Sequence, residues 1–323
     1  MNGKPQALRF ERVRTFGRLM SDTRKFIRDN FVVFFKTILF LVGPVALITC
    51  ALESYYVIML QNPDGSPDME HFGSYLALPF IYSQFRWAIN GFVTAIVVSH
   101  FIKTYREKGE GKFEVGDVTR SIFRDFGGIL LAFLVLMLGV TLVGVILGYM
   151  IYGLANVSMG AAVLAGIAGF IGYFLIRFPM WYYLFSVFFA RTRQPKTQNV
   201  FPAMGFAAKV FSGNWWQTWV AFFLMWLILW LLGYAIALPA TVGQGIAKLS
   251  TVNIDENSPD WKMVQTILMT LGEFAKTIIS SVFCITVALQ FFSLKEKLDG
   301  EGTKELVDTI GKNNDDDGVE LTW

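Results

Sequence analysis

The chain has 323 residues, of which 54% are hydrophobic and only 16% charged, with a formal net charge of +3. Charges are missing from long stretches, and several apolar runs reach the roughly 20 residues needed to cross about 30 Å of hydrocarbon, a distribution that excludes an ordinary soluble domain. Phenylalanine alone accounts for 31 positions, with 9 Trp and 11 Tyr, so bulky rings fill much of the packing and lipid-facing surface.

Residues 1–30 carry eight basic residues and no apolar run. That is not the layout of a cleavable secretory signal, so the first spanning helix is expected to do the targeting itself. Phe10, Val13, Phe16, Met20, Phe26 and Ile27 can form one apolar side while Arg9, Arg12, Arg14, Arg18 and Arg24 supply positive charge. The segment therefore reads as a basic amphipathic helix, lying either on an anionic leaflet or on its own bundle. A membrane domain over 31–292 follows, with spans at about 31–60, 75–102, 126–153, 160–190, 216–245 and 264–292. Pro44, Pro79, Pro179 and Pro239 are the expected points of distortion. Ala155 to Ser158 is the only break in the long hydrophobic region around the third and fourth spans, and reads as a tight turn. Residues 293–323 form a terminal segment whose acidic end, Asp315-Asp316-Asp317, reads as disordered and solvated.

Orientation follows from the basic residues. Between the expected spans and at the two ends, one side of the membrane collects 22 Lys and Arg, and the other only Lys248 and Lys262. The positive-inside rule then places both termini in the cytoplasm.

The segments entering the first, third and fifth spans share a pattern: Lys25-Phe26-Ile27-Arg28-Asp29-Asn30-Phe31, Arg120-Ser121-Ile122-Phe123-Arg124-Asp125-Phe126, and Lys209-Val210-Phe211-Ser212-Gly213-Asn214-Trp215. In each, a basic residue stands five positions before Asn or Asp, and an aromatic ring follows. Asp22 and Asp117 occupy equivalent places in the first two copies, Phe206 in the third. The Asn or Asp can hydrogen-bond at a bend, the ring can anchor at the interface, and Lys25, Arg120 and Lys209, like Arg9, Arg12, Arg14 and Arg18, can meet lipid phosphates. The expected fold is an all-α integral membrane protein, a bundle of six transmembrane helices with cytoplasmic amphipathic helices. Either three repeated helical hairpins build it or the pattern is what any helix entering a membrane collects.

Six charges fall within the spans. Lys36 can snorkel at one end, and Glu53 lies near enough to the outer end to reach water. Arg86 and Glu273 are at comparable depths with opposite signs, which makes an interhelical pair attractive, and Lys276 is one turn from Glu273. Arg177 would approach the cytoplasmic half before Pro179. These four form a candidate intramembrane polar network, either structural or lining a polar path. Gly139, Gly144 and Gly148, with Gly166, Gly169 and Gly172, can permit close approach of the third and fourth spans. Trp215, Trp216, Trp219, Trp226 and Trp230 place an aromatic band on the fifth. No catalytic residue, metal site or cofactor is expected. There is no Walker-type loop, HExxH sequence or His/Cys cluster, His71 and His100 fall on opposite sides, and Cys50 and Cys284 read as packing residues.

Phe211-Ser212-Gly213-Asn214-Trp215-Trp216, together with Gln290-Phe291-Phe292-Ser293-Leu294-Lys295-Glu296-Lys297-Leu298-Asp299-Gly300, resembles an uncharacterised family of multispanning Bacteroidota inner-membrane proteins. The chain is also loosely similar to the membrane domains of glycerophosphoryl diester phosphodiesterases. The resemblance implies a bacterial inner (cytoplasmic) membrane protein of six helices. It does not bring the hydrolase, which in such fusions is a separate soluble domain. The function expected is a non-enzymatic module that organises lipids or a cell-envelope assembly. Its partners would be membrane phospholipids and either another envelope protein or a second copy, with no nucleic acid. The alternatives are a transporter or channel for a small polar or lipidic substrate and, last, a lipid-modifying enzyme.

Overall fold

The computed structural model describes residues 8–59, 72–109, 111–155, 200–213, 215–249 and 258–300, with single positions and short pieces between 158 and 189 and at 303. Among these residues all regular structure is helical. The elements are α1 (Phe16–Leu41), α2 (Gly43–Met59), α3 (Phe72–Lys108), α4 (Val115–Arg124), α5 (Phe126–Ala155), α6 (Val200–Ser212), α7 (Trp215–Leu249) and α8 (Pro259–Asp299). Four helices are long and apolar enough to cross a membrane: α3, α5, α7 and α8. The bent pair α1 and α2 makes a fifth if counted as one span. Of the region expected to hold the fourth span, only scattered residues are described.

The first expected span is broken. α1 and α2 meet at 50° across Val42. Pro44 has no N–H for the carbonyl one turn back, and its ring crowds that turn, so the helix yields there. Gly43 sits at the corner, where an added Cβ would lie 3.8 Å from the Phe274 ring of α8. Bent in this way, α2 runs along α8, and α2 and α7 are the elements most extensively packed on α8.

A second interruption in α1 falls on Asn30, whose φ of −117° and ψ of 15° leave the helical region. Its Nδ2 donates to the Phe26 carbonyl at 2.9 Å. Asp125, between α4 and α5, has nearly the same backbone, φ −103° and ψ 12°. Both residues hold the position before Phe31 and Phe126, the two rings that open the apolar helices, and both rings are exposed. The buried positions also correspond, Thr23 with Val118 and Phe26 with Ser121. Asp22 and Asp117 each tie the preceding chain to the bend: Asp22 pairs with Arg14 at 2.8 Å, Asp117 with Lys108 at 2.6 Å. Asp117 also closes a capping box with Glu114. The Lys108 ammonium and the Glu114 backbone hold the partly exposed Asp117 carboxyl below its ordinary range. Whatever this gives to stability is present above the unfolded carboxyl pKa and lost as pH falls through the folded one. The third copy of the motif places its Asn214 outside the described residues.

The N-terminal segment departs from the expected amphipathic helix. The helix begins only at Phe16, and residues 8–15 form a non-helical strap. The strap carries Phe10, 3% exposed, into a cluster of rings against Phe26, Tyr105 and Phe292 at centroid distances of 5.4 to 5.9 Å. Phe34, Phe101 and Phe113 extend the cluster across α1, α3 and the turn before α4. Phe189 joins it from the other side, 4.6 Å from Phe292.

Arg14 is corrected with it. Its side chain is fully buried, so it does not meet a lipid phosphate. The guanidinium donates to Asp22 and to the carbonyls of Arg9, Phe10 and Arg12, and the backbone N–H donates to Ser293 Oγ of α8 at 2.8 Å. A strap that forms no helix leaves carbonyls short of partners, and one forked cation serves three of them, that of Phe10 alongside the Arg12 N–H. Burial pushes its pKa down from the ordinary value, and the Asp22 carboxylate pulls the other way.

Two further expectations change. α8 runs past 292 to Asp299, where Gly300 caps it in the left-handed conformation (φ 60°) and donates to the Glu296 carbonyl. Residues 291–294 are buried, so the start of the terminal segment belongs to the core. Of the six glycines expected to bring the third and fourth spans together, Gly139 and Gly172 make no close approach, since a Cβ at either would meet nothing within 4 Å, and the surroundings of Gly144, Gly148, Gly166 and Gly169 lie outside the described residues. Leu138, Leu142, Ile146 and Tyr149 of α5 are exposed. The dense centre is α3 with α8 and α2.

Replacing Arg14 by Met is expected to destabilise the protein by about 3 kcal/mol, because the half-buried Asp22 and the strap carbonyls of Arg9 and Arg12 lose this donor together, while Phe10 keeps the Arg12 N–H. Thermal unfolding in detergent reads the loss, and limited proteolysis should cut the strap earlier. Arg14→Lys should recover only part, since an ammonium lacks the fork. A variant with wild-type melting and wild-type cleavage would contradict the strap's dependence on Arg14.

Candidate functional site

From Phe85 onward α3 is largely buried, so a polar residue there must find its partners inside the protein. Arg86 is 7% exposed. Its Nε meets the Glu53 carboxylate of α2, its Nη2 lies 3.3 Å from Glu273 Oε2 of α8, and its Nη1 points to Cys50 Sγ at 3.9 Å. The guanidinium plane lies beside the Trp87 ring, 5.3 Å from its centroid. Three donor directions thus reach three groups on two helices. This is the use of arginine that lysine cannot copy.

Glu273 is shared. Its Oε1 accepts from Lys276 Nζ at 2.7 Å, one turn along α8. Lys276 in turn lies over the Tyr234 ring of α7 at 4.7 Å and packs against Gly233, where any Cβ would come within 3.0 Å of Lys276 Cγ. The glycine leaves room for the lysine stem, which a Cβ would have to displace by a few tenths of an ångström. Two carboxylates and two cations balance, so the cluster as a whole is neutral.

Hydroxyls and an amide continue the polar seam. Thr277 Oγ1 bonds back to the Glu273 carbonyl at 2.9 Å and stands 3.9 Å from Cys50 Sγ. Thr49 Oγ1 and Asn90 Oδ1 are 3.0 Å apart between α2 and α3. Asn90 Nδ2 and Ser54 Oγ are buried without a protein partner, and groups of that kind call for ordered water. Eleven residues beyond Asn90 along α3, Phe101 belongs to the ring cluster.

Of the expected network, the structure brings together Arg86, Glu273 and Lys276; Arg177 lies outside the described residues. Glu53 is the member that sequence reasoning missed, having been placed near water at the outer end. The 50° bend turns α2 back against α3 and α8 and carries Glu53 to Arg86. Within the cluster, Arg86 and Lys276 against Glu273 alone would leave a positive charge over, and Glu53 is the acid that cancels it.

The residues expected at lipid phosphates divide. Arg9, Arg12, Arg18 and Lys209 are exposed, Arg120 is 85% exposed, and Lys25 is half-buried. Arg14 is buried. Both cysteines are free and buried, and no group of three or more His, Cys, Asp and Glu is placed to hold a metal among the described residues. His100 Nδ1 and Ser121 Oγ are 2.9 Å apart, but both side chains are closed off beneath α4 and fix that helix to α3. Lys103 to Asp125 at 2.8 Å does the same one turn on. No family model, curated protein or solved structure matches the chain.

Gly233→Val should push Lys276 off Glu273 and lower stability by about 1–3 kcal/mol through overpacking. Lys276→Ala in that background removes the clash and should restore part of the loss. The two melting curves in detergent decide it: a Gly233→Val protein as stable as wild type would contradict the packing of Lys276 on α7.

Proposed function

We propose that the chain is a non-enzymatic membrane module of six spans, with both termini in the cytoplasm of a bacterium, that organises anionic lipids at the inner leaflet of the cytoplasmic membrane. The observation that carries this reading is the repeated bend. At Asn30 and again at Asp125 a basic segment stops, the backbone leaves the helical region, and an exposed ring starts an apolar helix. Lys209 and the exposed Trp215 and Trp216 supply the matching groups before α7. Rings settle at the headgroup level, and cations beside them favour phosphates. The apolar faces of α5 and α7 suit contact with acyl chains. Arg9, Arg12 and Arg18 of the strap and first helix add charge on the same side. The Bacteroidota resemblance and the three-hairpin architecture belong to this proposal, as does an envelope protein or second copy as partner.

A second reading, a path for a small polar solute, is favoured by the polar seam of Glu53, Arg86, Asn90, Glu273 and Thr277. In that reading the ring cluster closes the path at its cytoplasmic end. For the third, a lipid-modifying enzyme, Ser121 and His100 are the nearest approach to a nucleophile and base, and neither is open to a substrate.

Each basic residue near an anionic surface contributes about 1 kcal/mol, so neutralising Lys25, Arg120 and Lys209 together (each to Gln) should weaken binding of anionic phospholipid by about 3 kcal/mol, on the order of a hundredfold. Native mass spectrometry of the purified protein against phosphatidylglycerol reads the change. Unchanged retention in a folded triple variant would overturn the lipid-organising function and leave the seam as the better guide.

A further inference from the structure

We propose that Glu53 is an exchangeable-proton site whose ionised form latches α2 to the bundle. The inference rests on the ion-pair geometry and is independent of the lipid reading. Glu273 is held by two cations, Arg86 at 3.3 Å and Lys276 at 2.7 Å, whereas the described partner of Glu53 is Arg86 alone. The charged groups facing Glu53 are Arg86 from α3 and Glu273 and Lys276 from α8, and the Cys50 thiol is one turn back on α2 itself. A proton arriving at the cluster therefore goes to the carboxylate with the fewer cations. Access requires water, and the unpaired Ser54 Oγ beside Glu53 and Asn90 Nδ2 across the seam, 2% and 4% exposed as residues, are the polar atoms that would hold it.

The step balances simply. Hydronium gives its proton to a Glu53 oxygen, one O–H bond forms, and water is left; the cluster goes from neutral to a charge of +1. Arg86 loses its charge-assisted acceptor on α2 but keeps Glu273, so α3 stays tied to α8 while α2 loses its tie to α3 and keeps its packing on α8. α2 is a helix distinct from α1, joined to it through the 50° corner at Val42 and Gly43. The corner is a hinge and the Glu53 to Arg86 bond is its catch. A proton thus selects between a closed and an open position of one helix.

Cys50 reports the catch directly, because the same side of α2 presses its thiol against Arg86 and Thr277, each at 3.9 Å. Alkylation of the full chain by N-ethylmaleimide at fixed pH, read by mass spectrometry, should be faster at Cys50 in Glu53→Gln than in wild type by about ten-fold or more, the worth of one charge-assisted hydrogen bond. Cys284, 1% exposed, should react no faster. Glu273→Gln should leave Cys50 slow, because Glu53 still holds Arg86. Equal Cys50 rates in Glu53→Gln and wild type would overturn the latch. In wild type, dicyclohexylcarbodiimide, which modifies protonated carboxyls in apolar surroundings, should label Glu53 more as pH falls from about 8 to 5. This second measurement needs no variant, so it decides the matter even if Glu53→Gln unfolds and exposes both thiols. The absence of any Glu53 adduct across that range would overturn the proton site.

Discussion

A guanidinium that is 7% exposed between apolar helices cannot be left unpaired, and in this chain that requirement draws three elements together. Arg86 reaches α2 through Glu53 and α8 through Glu273, and Lys276 extends the same cluster to α7. Dispersion and lipid exclusion pack apolar helices without fixing their register. A cluster with directional donors does fix it. The polar seam follows from where these charges meet, and the bend at Pro44 is what lets α2 bring Glu53 there.

The other end of the bundle is organised by rings. Phe10, Phe26, Phe34, Phe101, Phe113, Phe291 and Phe292 come from five separate stretches of chain and meet mostly edge to face. Arg14 and Arg106 lock the strap over them, Arg106 by pairing with Glu11 at 2.5 Å and by lying near the Phe10 and Phe292 rings. The molecule thus has a charged junction toward one end and an aromatic one at the other. α3 and α8, the most buried of the long helices, run through both.

What the sequence made legible was whatever depends on local pattern. Apolar length marks α3, α5, α7 and α8; Pro44 marks the corner; and the Lys25 and Arg120 motifs mark bends that share a backbone conformation. Opposite signs at like depth single out Arg86 with Glu273. Features that depend on tertiary direction were not legible. Glu53 looked close to water because a straight first span would put it there, and only the bend brings it inward. Arg14 looked like one more surface cation in a basic stretch, whereas its role is set by three carbonyls that a helix would have satisfied. Gly139 and Gly172 looked like contact points, yet they face open space, and the glycine that matters for approach is Gly233, set by a lysine on another helix.

The central claim is that Arg86 joins α2 and α8 by two separable couplings. A double-mutant cycle in detergent measures each, with Arg86→Met combined first with Glu53→Gln and then with Glu273→Gln. Thermal or denaturant unfolding should give an interaction energy of about 1–3 kcal/mol in both cycles, because each partner shares the same guanidinium. Additive losses in both cycles would mean that the charges stabilise the bundle independently of one another, and the account of Arg86 as the junction would fail.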